Sequence, residues 1–118
     1  MKSRIWMMGI ATCLALGGAW PVSATIYYVN DTNTLGDIYT SIGGNDGASG
    51  TETSKPKLTL ASVLTNTMMP GDIIYIDTGT NTPVVISNTV NGAAGNPIVI
   101  QGSTNLAYGG TIFSGAGT

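Results

Sequence analysis

The residues that carry most enzyme chemistry are scarce in this sequence. The 118 residues include no histidine, a single cysteine (Cys13) and a single arginine (Arg4). Cys13 and Arg4 both precede Ala24, in a segment that we expect to be removed from the mature chain. The remaining chain therefore lacks the residues for a Ser-His-Asp triad, for soft transition-metal sites and for an arginine clamp.

Two acidic residues in a glycine-rich segment are the candidate metal ligands. Asp46 and Glu52 lie in Gly-Asn-Asp-Gly-Ala-Ser-Gly-Thr-Glu, and carboxylates on such a bent segment could offer oxygens to Ca²⁺. The order of oxygen-bearing residues does not match an EF-hand loop, and Asn-Asp-Gly is above all a turn sequence. We therefore expect turns at Gly47 and Gly50, with Asp46 and Glu52 as weak metal candidates.

A second pair of carboxylates flanks an apolar run. Asp72 and Asp77 are five positions apart, so on one continuous strand their side chains would point to opposite faces. Paired-carboxylate glycosidase chemistry between them is therefore not expected. Structural turns are expected instead at Gly71 and Gly79, with Asp72 accepting backbone N–H groups.

The two lysines near the middle of the chain are the remaining candidates for a base. Lys55 and Lys57 flank Pro56. Either could act as a base that abstracts a proton. A solvated surface role is the alternative, and it is the expectation for both.

The five tyrosines allow two interpretations. Aromatic faces can form a platform on which sugars stack, and packing in a core or on a strand face is the simpler alternative. The sequence favours packing for most of them. The residues concerned are Tyr27, Tyr28, Tyr39, Tyr75 and Tyr108.

The N-terminus has the three parts of a cleavable export signal. Lys2 and Arg4 give a positive start, residues 5–19 are uncharged and mostly apolar, and Val22-Ser23-Ala24 supplies small residues for a signal peptidase. A retained membrane anchor is the weaker alternative, because glycines and Pro21 interrupt the apolar run. We expect cleavage after Ala24, a mature chain of 94 residues (118 minus 24) and a secreted or cell-surface location.

The mature chain is acidic and contains few charges. Lys55 and Lys57 stand against six carboxylates, giving a formal charge of 2 minus 6, or −4. Phosphate binding requires clustered cations, so nucleic acid is not expected as a partner.

The elements that would position these residues are short strands and one helix. A strand is expected over 26–29 and a helix over 59–69, with Thr59 as N-cap and Pro70-Gly71 as its end. Further strands are expected over residues 73–76, 83–86, 97–100 and 111–113.

The spacing of these strands favours a solenoid. Ile76 and Ile100 are 24 positions apart, and Ile86 and Ile112 are 26 apart. These separations fall within the range of about 20 to 50 residues found in repeat architectures. The chain holds fewer than two such units, so no repeat can be demonstrated from it.

The order of these motifs resembles the N-terminal part of secreted right-handed parallel β-helix proteins of the pectate-lyase-like group. The resemblance covers residues 26–102. The matching residues are Tyr27-Tyr28-Val29, Gly44-Asn45-Asp46-Gly47, Gly50-Thr51, Pro56, Thr59-Leu60, Pro70-Gly71-Asp72, Ile74-Tyr75-Ile76, Gly79 and Gly92-Ala93-Ala94-Gly95-Asn96-Pro97-Ile98. The chain departs from the family pattern at two places. The segment 31–42, between the first strand and Asn-Asp-Gly, is longer than is usual in the family. Asn81 occupies the position at which the family often has a tyrosine, after the Gly-Thr that follows the first coil strand.

The resemblance implies an all-β fold, a right-handed parallel β-helix. A signal peptide would occupy 1–24, a strand, loop and capping helix 25–72, and the first coils 73–118, as an incomplete fragment. It implies a polysaccharide-binding or polysaccharide-degrading protein when complete, with no catalytic site or cofactor in this segment and with Ca²⁺ possible in the full-length protein. The alternative is a non-enzymatic adhesin or autotransporter-like rod.

Overall fold

Five short strands form two parallel sheets in the structure, which is a computed structural model describing residues 24–86 and 91–115. The strands are rich in β-branched and aromatic side chains, which suit a pleated and partly buried surface. Their bounds are β1 Ile26–Val29, β2 Ile73–Ile76, β3 Gly79–Asn81, β4 Val99–Gly102 and β5 Thr111–Phe113. The proposed signal segment precedes the described residues, of which Ala24 is the first.

The larger sheet has the strand order β1-β2-β4, and both pairings are parallel. Tyr28 pairs with Tyr75, and Tyr75 with Gln101. Successive side chains on a strand point to opposite faces, so this row shares one face of the sheet. Ile74 and Ile76 point to the other face and are fully buried.

The smaller sheet pairs β3 with β5 in parallel. Thr78 joins β2 to β3 and is buried, with its hydroxyl 2.8 Å from the Gly36 carbonyl oxygen and 2.6 Å from the Ser103 hydroxyl. The Thr111 hydroxyl donates to the Ile76 carbonyl oxygen at 2.7 Å. These hydroxyls satisfy buried polar groups where the chain turns from one sheet into the other.

The hydrophobic core lies between the larger sheet and one short helix, α1, Leu60–Leu64. Thr59 is the N-cap, and its hydroxyl oxygen accepts the Ser62 N–H at 3.2 Å. The buried core side chains are Tyr27, Val29, Leu60, Val63, Met68, Ile74 and Ile76.

The expected helix over 59–69 is confirmed at its start but is shorter than predicted. After Leu64 the chain runs Thr-Asn-Thr, residues with weak helix propensity that compete for backbone hydrogen bonds. The Thr65 hydroxyl donates to the Ser62 carbonyl oxygen at 2.7 Å, and the Asn66 amide to that of Val63 at 3.1 Å.

The outer edge of β1 is covered by the end of the long loop 30–57. The Tyr28 N–H donates to the Gly50 carbonyl oxygen at 2.7 Å, and the Lys57 N–H to that of Tyr28 at 2.9 Å. Val29 and Lys57 form an isolated parallel bridge. The loop thus supplies partners for main-chain groups that would otherwise be exposed.

The strand predictions are partly confirmed. Strands over 26–29, 73–76 and 111–113 form as expected, and the strand predicted over 97–100 begins two residues later. No strand forms over 83–86; the chain pairs through Gly79–Asn81 instead. Pro83 has no N–H for a ladder and lies just after the strand that does form.

The prediction of a right-handed parallel β-helix with a capping helix is wrong. The described residues form a small globule with two small parallel sheets, and neither a solenoid nor a helical cap is present in them. The missing strand over 83–86 removes one of the two spacings on which the repeat depended. A five-residue helix packed beside β1 also differs from the cap of 59–69.

Candidate functional site

Three tyrosines and one glutamine meet on the solvent side of the larger sheet. Tyr28, Tyr75 and Gln101 come from β1, β2 and β4 and lie side by side in register. Tyr39 joins them from the long loop. We call the set Tyr28, Tyr39, Tyr75 and Gln101 the tyrosine face.

The tyrosine rings pack on one another in a row. The Tyr28 and Tyr75 rings are stacked, with centroids 6.0 Å apart and 26° between their planes. The Tyr39 ring lies 4.6 Å from that of Tyr75 at 37°. Such offset aromatic pairs are favourable beyond the area they bury, so the three rings hold one another in place.

Tyr39 is fixed at its hydroxyl end by strand β4. Its hydroxyl donates to the Gly102 carbonyl oxygen at 3.0 Å, and the Gln101 side-chain amide donates to the same oxygen at 3.1 Å. Burial raises the pKa of Tyr39, and Tyr75 and Asp77 add to the increase. Tyr39 therefore stays protonated and available as a donor.

Asp77 fixes the backbone of Tyr39. Its fully buried carboxylate accepts the N–H groups of Ile38 at 2.8 Å, Tyr39 at 2.8 Å, Thr40 at 2.7 Å and Thr78 at 2.8 Å. The Thr40 hydroxyl adds a fifth bond at 2.8 Å. A buried charge is tolerated only with such partners, and here they tie the loop to the end of β2.

The two carboxyls beneath this loop have opposite pKa shifts. Burial raises the pKa of Asp77, but its hydrogen bonds from Ile38, Thr40 and neighbouring N–H groups outweigh burial, so the pKa lies below the usual value. Burial raises the pKa of Asp37, and repulsion from Asp77 adds to the increase although Asn30 opposes it. Asp77 is therefore the anionic anchor of the pair.

The face retains hydrogen-bonding groups for a ligand. Tyr28 and Tyr75 are partly exposed and Gln101 is exposed. Within residues 24–86 and 91–115 the hydroxyls of Tyr28 and Tyr75 have no hydrogen-bond partner. Phenol hydroxyls can donate and accept, and the carboxamide of Gln101 can do both as well.

The other two tyrosines are elsewhere. Tyr27 is a core residue, 9% exposed, and Tyr108 packs over Gly36 with 53% exposure. The expectation of packing in a core or on a strand face is confirmed for Tyr27, in the core, and for Tyr28 and Tyr75, on a face of the larger sheet. Sequence reasoning missed Gln101, and only the strand register could have revealed it.

The candidate calcium ligands have other partners. The Asp46 carboxylate accepts the N–H groups of Leu58 and Thr59 and the Thr59 hydroxyl, each at 2.9 Å. Glu52 pairs with Lys55 at 2.9 Å, and both side chains are more than half exposed. In the part of the chain that the structure describes, no three acidic, cysteine or histidine side chains converge to hold a metal ion.

The two lysines are also engaged. The Lys57 ammonium donates to the carbonyl oxygens of Asp46 at 3.0 Å and Ala48 at 2.8 Å. Lys55 is held by the exposed ion pair with Glu52. Lys57 therefore holds two carbonyl groups of the segment 44–57 together, whereas the exposed ion pair of Lys55 contributes little to stability.

The residues expected at turns have the hydrogen bonds or the backbone conformations that turns require. Asp72 is buried and accepts the N–H groups of Thr25 and Met69, both at 2.8 Å. Gly79 has a φ of 132°, and a side chain there would collide with the Asp31 carboxylate. Of the others, Gly50 and Gly71 also have positive φ, and Gly47 donates its N–H to the Asn45 side chain.

Comparison of the sequence with protein-family models gives no match, and comparison with curated proteins gives none either. Among the described residues, no helix is both long and apolar enough to cross a membrane.

Proposed function

We propose that this protein binds neutral polysaccharide through the tyrosine face. The observation that carries the proposal is the row of Tyr28, Tyr75 and Tyr39, held in register by two strands and by the Asp77-anchored loop. Rings fixed in this way offer amphipathic contact area at little cost in conformational entropy.

The chemistry of the face suits a sugar chain. Sugar C–H groups provide apolar patches that pack against aromatic carbon, and sugar hydroxyls require donors and acceptors at the rim. Tyr28 and Tyr75 supply both a ring and a free hydroxyl, and Gln101 supplies a carboxamide beside them. The side chains follow one another across three neighbouring strands, which is compatible with an extended sugar chain.

The charges favour a neutral ligand over a uronate. After residue 24 the only cations in the sequence are Lys55 and Lys57, and both have partners in the segment 44–57. The carboxylates of Asp37 and Asp77 lie beneath the loop that carries Tyr39. Acidic sugars would therefore find no counter-charge and would be repelled.

Binding to a panel of polysaccharides tests the proposal. The full chain is run through native gels containing neutral polymers (β-glucan, xylan, mannan) or polygalacturonate. We expect retardation in at least one neutral gel and none in polygalacturonate. Tyr75→Ala should weaken that binding at least about tenfold, since a buried aromatic contact contributes about 1.5 kcal/mol or more.

Tyr108→Ala is the matched control, because Tyr108 is an exposed tyrosine outside the face. It should bind as the parent does. Equal weakening by both substitutions, or retardation only in polygalacturonate, would refute the proposal. A circular dichroism spectrum for each variant separates lost binding from lost folding.

Export of the chain is part of the same proposal. The charged start, apolar segment and Val22-Ser23-Ala24 favour a secreted or surface-attached protein cleaved after Ala24. Intact mass of the protein recovered outside the expressing cell should correspond to residues 25–118. A mass that includes residues 1–24 would contradict cleavage.

The carboxylates favour a non-enzymatic surface protein over a polysaccharide-degrading one, because they have partners within the protein itself. Each of the six accepts a hydrogen bond or ion pair from the protein; they are Asp31, Asp37, Asp46, Glu52, Asp72 and Asp77. Asp37 alone among them keeps a buried carboxylate oxygen without a partner in the described residues. The other five hold the protein's own N–H groups or Lys55, which favours a structural role for them. Release of reducing ends or unsaturated products from a bound polymer would contradict a purely binding role.

A further inference from the structure

The two edges of the larger sheet differ sharply. Residues 50–57 cover the β1 edge, whereas among the described residues β4 is paired only with β2. The Val99 N–H donates to the Asp72 carbonyl oxygen on the β2 side. Because backbone groups alternate in direction along a parallel strand, the N–H and C=O of Ile100 point away from β2, toward the open edge.

The open edge has exposed apolar side chains beside it. Ile100 is 36% exposed, and on β5 Ile112 and Phe113 are 45% and 44% exposed. Ile86 and Ile98 line an adjoining open groove that reaches Ile100. Proteins usually protect such edges with lysine, proline or a bulge, and none of these lies within β4.

The charge distribution indicates what can approach this edge. The sequence has no charged residue from Thr78 to Thr118, while all six carboxylates and both lysines that follow Ala24 lie between Asp31 and Asp77. Two copies meeting at this edge would bring their uncharged ends together. Approach through the other surfaces would bring net negative charge toward net negative charge.

We propose that the β4 edge pairs with the β4 edge of a second copy, forming a closed dimer. The two strands would run antiparallel about a two-fold axis perpendicular to the sheet, which joins two three-stranded sheets into one of six strands. The same surface serves both partners, so the outward N–H and C=O of each Ile100 meet their counterparts. The Ile100 side chains, next to the two-fold axis, would lose much of their exposure.

This pairing places both tyrosine faces on the same side of the joined sheet, because the two-fold axis preserves the sheet face. If the face binds polysaccharide as proposed above, one chain of sugar could contact both copies and gain avidity. That consequence rests on the proposed function, whereas the dimer does not.

Sedimentation velocity of the full chain without any glycan tests the dimer. We expect a concentration-dependent shift from monomer to dimer and no larger species. Ile100→Lys places like charges opposite each other at the two-fold contact. It should raise the dimer dissociation constant at least about 100-fold, since like-charge juxtaposition costs several kcal/mol.

Ile42→Lys is the control, because Ile42 is an exposed apolar residue, 52% exposed, in the loop whose end covers the opposite, β1 edge. It should dimerise as the parent does. A parent that stays monomeric, open-ended oligomers, or an edge variant that dimerises normally would each overturn the proposal. Circular dichroism on each variant confirms that the fold is intact, and glycan binding by a monomeric variant would leave the proposed function standing.

Discussion

At the scale of single residues, Asp77 connects the core to the tyrosine face. It follows the buried end of β2, and its carboxylate accepts three consecutive N–H groups, from Ile38, Tyr39 and Thr40. No local sequence rule predicts this contact, because almost forty positions separate donor and acceptor. The alternation of side chains along one strand, which relates Asp77 only to Asp72, could not reveal it.

Replacing Asp77 by asparagine should destabilise the protein strongly. The amide keeps one acceptor oxygen and turns an NH₂ group toward donors that now lack a partner. We expect a loss of about 2–4 kcal/mol in the free energy of unfolding, measured by urea denaturation. Asp31→Asn is the control; Asp31 accepts the exposed Asn33 and Thr80 N–H groups, and its loss should stay below about 1 kcal/mol. Equal losses would contradict the role given to Asp77.

The opposite pKa shifts of Asp37 and Asp77 predict a stability maximum in mild acid. The raised pKa of Asp37 means that the folded state holds its proton more tightly, so stability rises as pH falls toward about 4. Asp77 has a lowered pKa, so its ionised form stabilises the folded state. This stabilisation is fully present above pH 3.8, the ordinary pKa of an aspartate, and is lost as the pH falls through the pKa of Asp77 in the folded state.

Urea denaturation between pH 7 and pH 2 would measure this profile. Asp37→Asn should remove the rise in the free energy of unfolding between neutral pH and pH 4. Asp77→Asn should make the decrease in that free energy below pH 4 smaller. A single monotonic profile shared by parent and both variants would show that neither carboxyl behaves as described.

At the scale of elements, the long loop 30–57 is a packed part of the structure. Gly44 lies where a side chain would collide with backbone atoms of Asn30, Lys57 and Leu58, the Lys57 carbonyl oxygen being 2.5 Å from a Cβ. The Gly44 N–H also donates to the Asp31 carbonyl oxygen at 2.7 Å. Only a glycine allows the two ends of the loop to approach so closely.

Gly44→Ala should therefore destabilise the fold by about 3 kcal/mol or more, because the obstructing atoms belong to backbone and cannot rotate away. Gly47→Ala is the control, since the nearest atom to its Cβ would be the Asn45 side-chain oxygen at 3.2 Å. Its loss should stay below about 1 kcal/mol in the same thermal or urea denaturation. A tolerated Gly44→Ala would show that the loop is not packed in this way.

The elements that the sequence predicted well are those with strong local signals. β1 and β2 are dense in isoleucine, valine and tyrosine, and the Thr59 cap marks where α1 begins. The helix end was missed because Thr65 and Asn66 bond back to the preceding turn. The tyrosine face depends on inter-strand register and on one distant carboxylate, neither of which has a local signature.

At the scale of the whole molecule, stability should be uneven. β2 is central, paired on both sides and backed by the core, whereas β5 is three residues long and partly exposed. Native-state hydrogen exchange should show amides of Ile73–Ile76 exchanging at least about 100-fold more slowly than those of Thr111–Phe113. Uniform protection across both sheets would contradict this ordering.

The overall architecture was the hardest feature to predict. Short apolar runs at intervals near 25 residues are compatible with a coil, but spacing alone does not decide which runs pair. Here Gly79–Asn81 rather than 83–86 pairs with β5, and the result is two small parallel sheets. The error arose from treating every apolar run as a strand.

The most direct test of the central claim is to map where a neutral sugar chain contacts the protein. Two-dimensional NMR of the labelled protein, titrated with neutral hexasaccharides from the polymer retained in native gels, reports each backbone and side-chain amide. We predict that the largest shifts fall on Tyr28, Tyr39, Tyr75 and the Gln101 side chain. Shifts centred on Tyr108, or no shifts at millimolar sugar, would contradict the account.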